Sequence, residues 1–425
     1  MAHLQVALSY RQIFFTFLKL GCIAFGGPAA HLVFFHQVFV KQLQWLSENN
    51  YAQLLALAQI LPGPSSSQVG IAIGYSLRGH WGAVVAWLGF TLPSALLMTL
   101  VAVIGSRLSD VLSQQFFHVI QLIVLAVVLW AFWQMLRSFC QQLWQYFLML
   151  CAAGFVYFVQ LPMNQILLIA VAALVGVLCS KYVKPNATVQ VGVDSQTTPA
   201  EKKSVKHKAA ATALGTKQRS YAYIWLILFF LPFFILPILK EGHSNILLES
   251  IQGFYYSASA VFGGGHIILP LLHQDFVVTG LVSGEKFDLG YAFAQLMPGP
   301  LFSFASYLGA LLPLTDSVLF NALIGTVLIF IPSFLLVFGA LPYWSYLMHQ
   351  PRIYQAVAGI NAAVVGLLLC LVVQMTQQYI LQWTDVVFVL LVIAMLKQKI
   401  PIWVSLISSF CIYYALLSFL SGVLG

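Results

Sequence analysis

Charge is what this chain has least of: charged residues make up 7% of its 425, with 19 Lys and Arg against 11 Asp and Glu. A soluble domain carries about 25%, so the scarcity excludes a water-soluble globule. Carboxylates are too few and too scattered to build an acid/base pair or a His/Asp cluster, which leaves a membrane-embedded hydrolase acting on lipid-linked phosphates without its machinery. The six cysteines contain no C-x-x-C pair, so neither a zinc site nor a redox motif is expected. His31 and His36 are five apart with no carboxylate or cysteine to complete a ligand set, so no metal and no other cofactor is implied. Arg11 and Lys19 interrupt the first apolar run and no A-x-A-like site follows it, which argues against a cleaved signal peptide. The excess of positive charge sits in loops, where it marks a cytoplasmic side; it reads as topology and not as a nucleic-acid footprint.

What is present is apolar sequence, at 61% hydrophobic residues. A membrane helix takes about 20 apolar residues to cross a core of roughly 30 Å. Runs bounded by Gly, Pro and charge fall at about 5–45, 51–75, 81–105, 116–138, 144–160 and 164–182, then at 221–239, 246–280, 287–312, 318–341, 354–376, 383–396 and 402–420. These thirteen stretches predict an all-α polytopic membrane protein. Between the two sets, residues 183–220 turn polar and basic, with Asp194, Pro199, Lys202, Lys203, Lys206, Lys208, Lys217 and Arg219, the composition of a solvated linker.

The two sets repeat each other. Phe25-Gly26-Gly27-Pro28 matches Phe262-Gly263-Gly264-Gly265, and Gln59-Ile60-Leu61-Pro62-Gly63-Pro64 matches Gln295-Leu296-Met297-Pro298-Gly299-Pro300. Pro93-Ser94 matches Pro332-Ser333, and Pro162 matches Pro401. The displacement stays between 236 (298 − 62) and 239 (332 − 93), so the chain is a duplicated unit, as many transporters are. The expected division is a first repeat at 1–182, the basic linker at 183–220, an unpaired connecting helix at 221–245 and a second repeat at 246–425. One unpaired helix inverts the second repeat. A cytoplasmic linker and N-terminus then place Arg11, Arg78, Arg137, Lys286, Arg352, Lys397 and Lys399 inside, with Lys41, Arg107 and Lys240 outside, as the positive-inside rule asks.

The doubled Phe-Gly-Gly and Gln-x-x-Pro-Gly-Pro motifs, 34 residues apart at Phe25 and Gln59 and 33 apart at Phe262 and Gln295, resemble the chromate ion transporter family in its long, two-domain form. The Trp45-Leu46-Ser47-Glu48 stretch is similar to that family as well, and the resemblance covers nearly the whole chain. It implies a multi-pass protein of the inner (plasma) membrane that expels chromate, a tetrahedral dianion like sulfate, and confers chromate resistance. The segment at Gln121-Leu122-Ile123-Val124 lacks the small and basic residues of that pattern, whereas Gly359-Ile360-Asn361-Ala362 keeps more of it. A transporter of sulfate or another small anion on the same scaffold is the alternative.

Independently of any family, Pro62-Gly63-Pro64 must break its helix, because proline removes a donor and clashes with the preceding turn. Broken backbone survives at membrane depth only where it lines a cavity or is buried in protein. Ser65 and Ser66 follow the break and suit the start of a half-helix, whose free N–H groups and partial positive charge favour an oxyanion. The same holds after Gly26 and Gly27, after Gly264 and Gly265, and after Gly299, where Ser303 is available. Four half-helix N-termini aimed at one midplane site are therefore the expectation. Lys19 is the one Lys or Arg deep in a predicted span and a candidate to neutralise the anion; a lysine snorkelling from a helix end is the competing role. His31 and His266 follow the glycine breaks and are candidate donors, as are the amides of Gln59 and Gln295. Glu249 and Asp275 flank the second glycine break as candidates for proton coupling. The expected partners are the oxyanion and the lipid bilayer, with a homodimer as a compatible assembly.

Overall fold

The computed structural model describes residues 8–108, 113–159, 164–179, 216–240, 245–262, 265–347, 350–398 and 400–424. Among these the structure is all-α, with no strand. In the first repeat α1 (Tyr10–Ile23), α2 (Gly27–Phe35), α3 (Glu48–Ile60), α4 (Ser65–Leu108), α5 (Gln114–Phe139), α6 (Leu143–Phe158) and α7 (Asn164–Cys179) follow in order. After α8 (Thr216–Lys240) come α9 (Ile246–Ala260), α10 (Ile268–Leu272), α11 (Gly284–Leu296), α12 (Phe304–Leu311), α13 (Val318–Ala340), the short α14 (Trp344–Leu347), α15 (Pro351–Tyr379), α16 (Trp383–Lys397) and α17 (Ile402–Leu424). Most of the basic linker lies outside the described residues. α8 lies between the two sets of helices in chain order.

Among the described residues, six helices are long and apolar enough to cross a bilayer alone, within α4, α5, α8, α13, α15 and α17. The other helices are shorter: α1 to α3 and α9 to α12 because Gly and Pro breaks cut their runs, and α6, α7 and α16 because their apolar runs are themselves short. The 51–75 stretch is divided: α3 stops at Ile60, and its remainder opens α4. α4 then turns at Arg78 and Gly79, where φ is −148° and +65°. Its two arms fold back with Gly74 against Gly82, a contact too close for any side chain. The second repeat builds the same hairpin from α12 and α13, with Gly309 against Gly325. A further shared feature is a π-helical segment that widens the chain after the first break, at His36–Gln42 and again at His273–Val278. Serines cap the helix starts: Ser9 and Gln12 form a reciprocal capping box on α1, and Ser47 accepts from the Asn50 N–H of α3.

The repeats are interleaved. α6 and α7 pack on α15 of the other repeat, α16 and α17 pack on α5, and α5 and α15 pack on each other. Gly359 of α15 meets Gly176 of α7 backbone to backbone, the close approach that small residues allow between membrane helices. His118 of α5 and Tyr413 of α17 both bond the buried Asp385 at the start of α16, at 3.1 and 2.6 Å. The apolar interior divides unequally. One core joins α9 to α13 with α5 to α7 and α15 to α17. A separate core holds α1 to α4 with the C-terminal part of α13 and Phe229. α4 bridges the two cores, since its Met98 and Ala102 belong to the first and it packs on α11, α12 and α13.

Candidate functional site

Each repeat interrupts its backbone twice. α1 ends at Ala24, and the chain passes Gly26 and Gly27, with φ of +97° and +76°, before α2 begins. Pro28 stands in the first turn of α2, where its missing N–H costs nothing. α3 ends in Pro62-Gly63-Pro64 with Gly63 at φ +127°, and α11 ends in Pro298-Gly299-Pro300 with Gly299 at φ +98°. These are left-handed conformations that a side chain resists.

The breaks meet across the repeats. The Gly63 N–H donates to the Val261 carbonyl at 2.6 Å, and the Gly299 N–H donates to the Ala24 carbonyl at 2.9 Å. Val261 lies 237 after Ala24 (261 − 24), and Gly299 lies 236 after Gly63 (299 − 63), so one bond is made twice by equivalent residues. In each, the carbonyl that ends the first helix of one repeat is met by the Pro-Gly-Pro turn of the other. Gly265 completes the contact, since a Cβ there would sit 3.1 Å from Pro28 Cγ.

Polar side chains collect around these turns. Ser94 and Ser303 hydroxyls lie 2.6 Å apart, joining α4 to the start of the α12 hairpin. The equivalent pair is Ser333 and Ser67, and both of those hydroxyls are buried without a protein partner. Gln68 donates through Nε2 to the Pro62 carbonyl at 2.5 Å, while its Oε1 is left unpartnered, as are Thr91 Oγ1 and Gln295 Nε2. A buried polar atom without a partner costs about 1–3 kcal/mol and is rare. Five such atoms lie on residues in or beside these turns, which makes them the candidate polar site.

His31 is 1% exposed and holds the arrangement from within repeat one. Its Nε2 lies 3.1 Å from the Ala24 carbonyl, which only accepts, so Nε2 carries the proton. Nδ1 then accepts from the Ser66 hydroxyl at 3.3 Å. The imidazole ties the end of α1 to the start of α4, one on each side of the paired breaks. The N–H groups of Ser65, Ser66 and Ser67 precede the first intrahelical bond of α4, made by Gln68 N to Pro64 O. Hydroxyls, amides and a half-helix N-terminus converge here, and the cluster contains no carboxylate.

Of the expected residues, Gly63, Ser66, His31, Gly299 and Ser303 come together, with Gly265 and the half-buried Ser65, Gln59 and Gln295 beside them. Gly26 and Gly27 shape the first break and are partly exposed. Gly264 lies outside the described residues, as does the His266 side chain. Lys19 is not brought to the cluster. It stands on the exposed face of α1, opposite the buried Ile13, Phe17, Leu20 and Gly21. Its counterpart in repeat two, Tyr256 (19 + 237), is covered by α8, to whose Pro232 carbonyl it donates at 3.3 Å. Among the described residues no helix covers Lys19 in the same way. Glu249 sits in the first turn of α9, three turns from the break, and Asp275 accepts from Ser257 at 2.7 Å, bracing the π-helical segment on α9. Away from the breaks, Glu48 bonds Lys41 and His36 on the surface. Lys41 first, and His36 second, hold that carboxyl below the usual carboxylate range. Sequence reasoning placed Ser67 and Gln68 at the start of the half-helix that opens α4 but gave no part to Thr91, Ser94 or Ser333. The repeated Pro-Ser pair carried a signal for the last two, a hydroxyl beside each mid-helix proline.

The family model for the chromate transporter matches residues 11–177 and again residues 248–414. This chain belongs to the chromate transporter family. The two matches are displaced by 237 (248 − 11), the same step that relates the paired bonds at the breaks. As a member of the chromate transporter family it is 25% identical to a chromate transport protein of Pseudomonas aeruginosa over 371 residues, 85% of this chain and 80% of that one. It is also 25% identical to a chromate transport protein of Cupriavidus metallidurans over 408 residues, 93% and 90% of the two chains. An uncharacterised transporter of Methanocaldococcus jannaschii is 25% identical over 387 residues, 91% and 88% of the two chains. No solved structure matches the chain.

Proposed function

We propose that this transporter moves chromate outward across the cell's inner membrane and so confers chromate resistance. The observation that carries the reading is the reciprocal pairing of the breaks, Gly63 with Val261 and Gly299 with Ala24, ringed by buried donors without a protein partner. A tetrahedral dianion takes hydrogen bonds from several directions at once. Ser67, Ser333 and Gln295 offer them from both repeats, and the N-terminus of α4 adds about half a positive charge. Relatives that share most of the chain's length are chromate transport proteins, which favours chromate over other oxyanions of its shape. The repeats are inverted with respect to the membrane by the unpaired α8, with the N-terminus and the basic linker in the cytoplasm.

The direction follows from charge. Moving one charge across the membrane is worth about 2.3 kcal/mol per 100 mV, so a dianion leaving a negative interior gains about 4.6 kcal/mol, or roughly a thousandfold gradient. Inside-out vesicles holding the wild-type chain are expected to accumulate chromate saturably when the lumen is made positive. Accumulation of sulfate without chromate would overturn the choice of ion, and movement of neither would overturn the transport reading.

A further inference from the structure

A buried carboxyl group sits on the same helix as this site and takes no part in it. Asp288 of α11 is 1% exposed. Among the described residues its hydrogen bond comes from the Tyr379 hydroxyl of α15, which donates to Oδ2 at 2.6 Å. Among the described residues no Lys, Arg or His lies in salt-bridge range of it. Neighbouring groups offer no compensation. Tyr307 of α12 spends its hydroxyl on the Lys286 carbonyl, and Glu285 on the same helix adds like charge. Lys286 itself is two residues away, about 200° around the helix. On the other helices packed against α11, His118 and Tyr413 are engaged by Asp385, Arg107 is exposed, and the His273 ring lies edge-on to Phe287. Burying an ionised carboxylate with a single hydroxyl partner is costly, so the setting of Asp288 favours its protonated form.

Two further facts give the proton a route and a consequence. The residue equivalent to Asp288 in repeat one is Ala52 (288 − 236), which is exposed on α3. Exchange of the two settings as the repeats move against each other would bring Asp288 to the surface, where the water that admits the oxyanion reaches it. There the acid O–H bond breaks, the proton passes to water, and a carboxylate remains. Asp288 also lies seven residues ahead of Gln295, about 10 Å along the helix. At that distance and an effective dielectric of about 20, an ionised carboxylate weakens binding of a dianion by about two orders of magnitude.

We propose that Asp288 is the site of a proton that binds together with the oxyanion and crosses with it. This rests on the chromate reading above. It adds that the transported unit carries one negative charge fewer, so that 100 mV sustains a gradient of some tens of fold in place of a thousandfold.

The test uses the full chain in proteoliposomes as wild type, Asp288→Asn, Asp288→Glu and Tyr379→Phe, each checked as monodisperse before reconstitution. Apparent chromate affinity of the wild type is expected to rise by at least tenfold as both sides are acidified from pH 8 to pH 6, about two units of proton activity. Asp288→Asn should keep only the dependence that chromate's own protonation contributes, Asp288→Glu should restore the rest, and Tyr379→Phe should displace it along the pH axis. Equal pH dependence in wild type and Asp288→Asn would overturn the proposal while leaving chromate transport standing. An infrared measurement on purified protein without chromate separates the two claims. A carboxylic-acid C=O band at neutral pH, present in wild type and absent in Asp288→Asn, supports the proton site even if no chromate moves; its absence overturns it.

Discussion

Alanine in place of Gly63, or of Gly299, is expected to reduce chromate transport by at least a hundredfold. Both residues have positive φ, +127° and +98°, which costs a side-chain-bearing residue about 1–2 kcal/mol. Space adds to that cost. A Cβ on Gly63 would lie 2.5 Å from Gln68 Nε2 and 2.7 Å from Ser333 Oγ, and one on Gly299 would lie 2.8 Å from Ser94 Oγ. Overpacking of this kind typically costs about 1–3 kcal/mol. The two terms together reach about 2–5 kcal/mol, and relief requires the turn to move away from the carbonyl its N–H now bonds. The damage therefore falls on the joint between repeats and not on one helix alone. Gly154 of α6 is the control, because a Cβ there meets nothing within 4 Å, and Gly154→Ala should transport like the wild type. Initial rates normalised to reconstituted protein check the prediction. Rates within threefold of wild type in Gly63→Ala and Gly299→Ala would show that these turns are not part of the transport path.

Removing the His31 ring is the second large effect. His31→Ala deletes a donor to the Ala24 carbonyl and an acceptor for Ser66, in a site where His31 is 1% exposed. Ala24 keeps its bond from Gly299, so its loss is partial; Ser66 loses its one side-chain partner. Each buried group stripped of a partner costs about 1–3 kcal/mol, and the cavity left by the ring adds to it. A ten- to hundredfold loss of transport is expected, together with a lower melting temperature in detergent. The conservative variant His31→Gln restores an N–H donor and a carbonyl acceptor at similar reach, and should recover a large part of the rate. If His31→Gln and His31→Ala are equally impaired, the imidazole acts through something other than these two bonds.

The broad architecture was legible because it depends on composition and spacing. Scarce charge excluded a soluble fold, and the matched Pro-Gly-Pro turns showed the duplication before any coordinates. Where each helix stops was also legible, since proline and glycine act locally. What the sequence conceals is which break meets which. The bonds from Gly63 to Val261 and from Gly299 to Ala24 join residues about 200 and 275 positions apart (261 − 63 and 299 − 24), and no local propensity encodes such a pairing. Lys19 shows the opposite failure. Its position in an apolar run made it a natural counter-charge, yet helical phase puts it on the face away from Phe17 and Leu20, which is exposed among the described residues. Asp288 went unremarked because a lone carboxylate in a half-apolar helix looks like a surface residue until α15 is laid over it.

The central claim is that the oxyanion sits where the two Pro-Gly-Pro turns meet. The direct measurement is a structure of the protein with bound chromate, with the metal located by its anomalous scattering. The account predicts a single strong peak within hydrogen-bonding reach of Ser67, Ser333 and Gln295, lost in Gly299→Ala. A peak elsewhere in a preparation that transports chromate would contradict it.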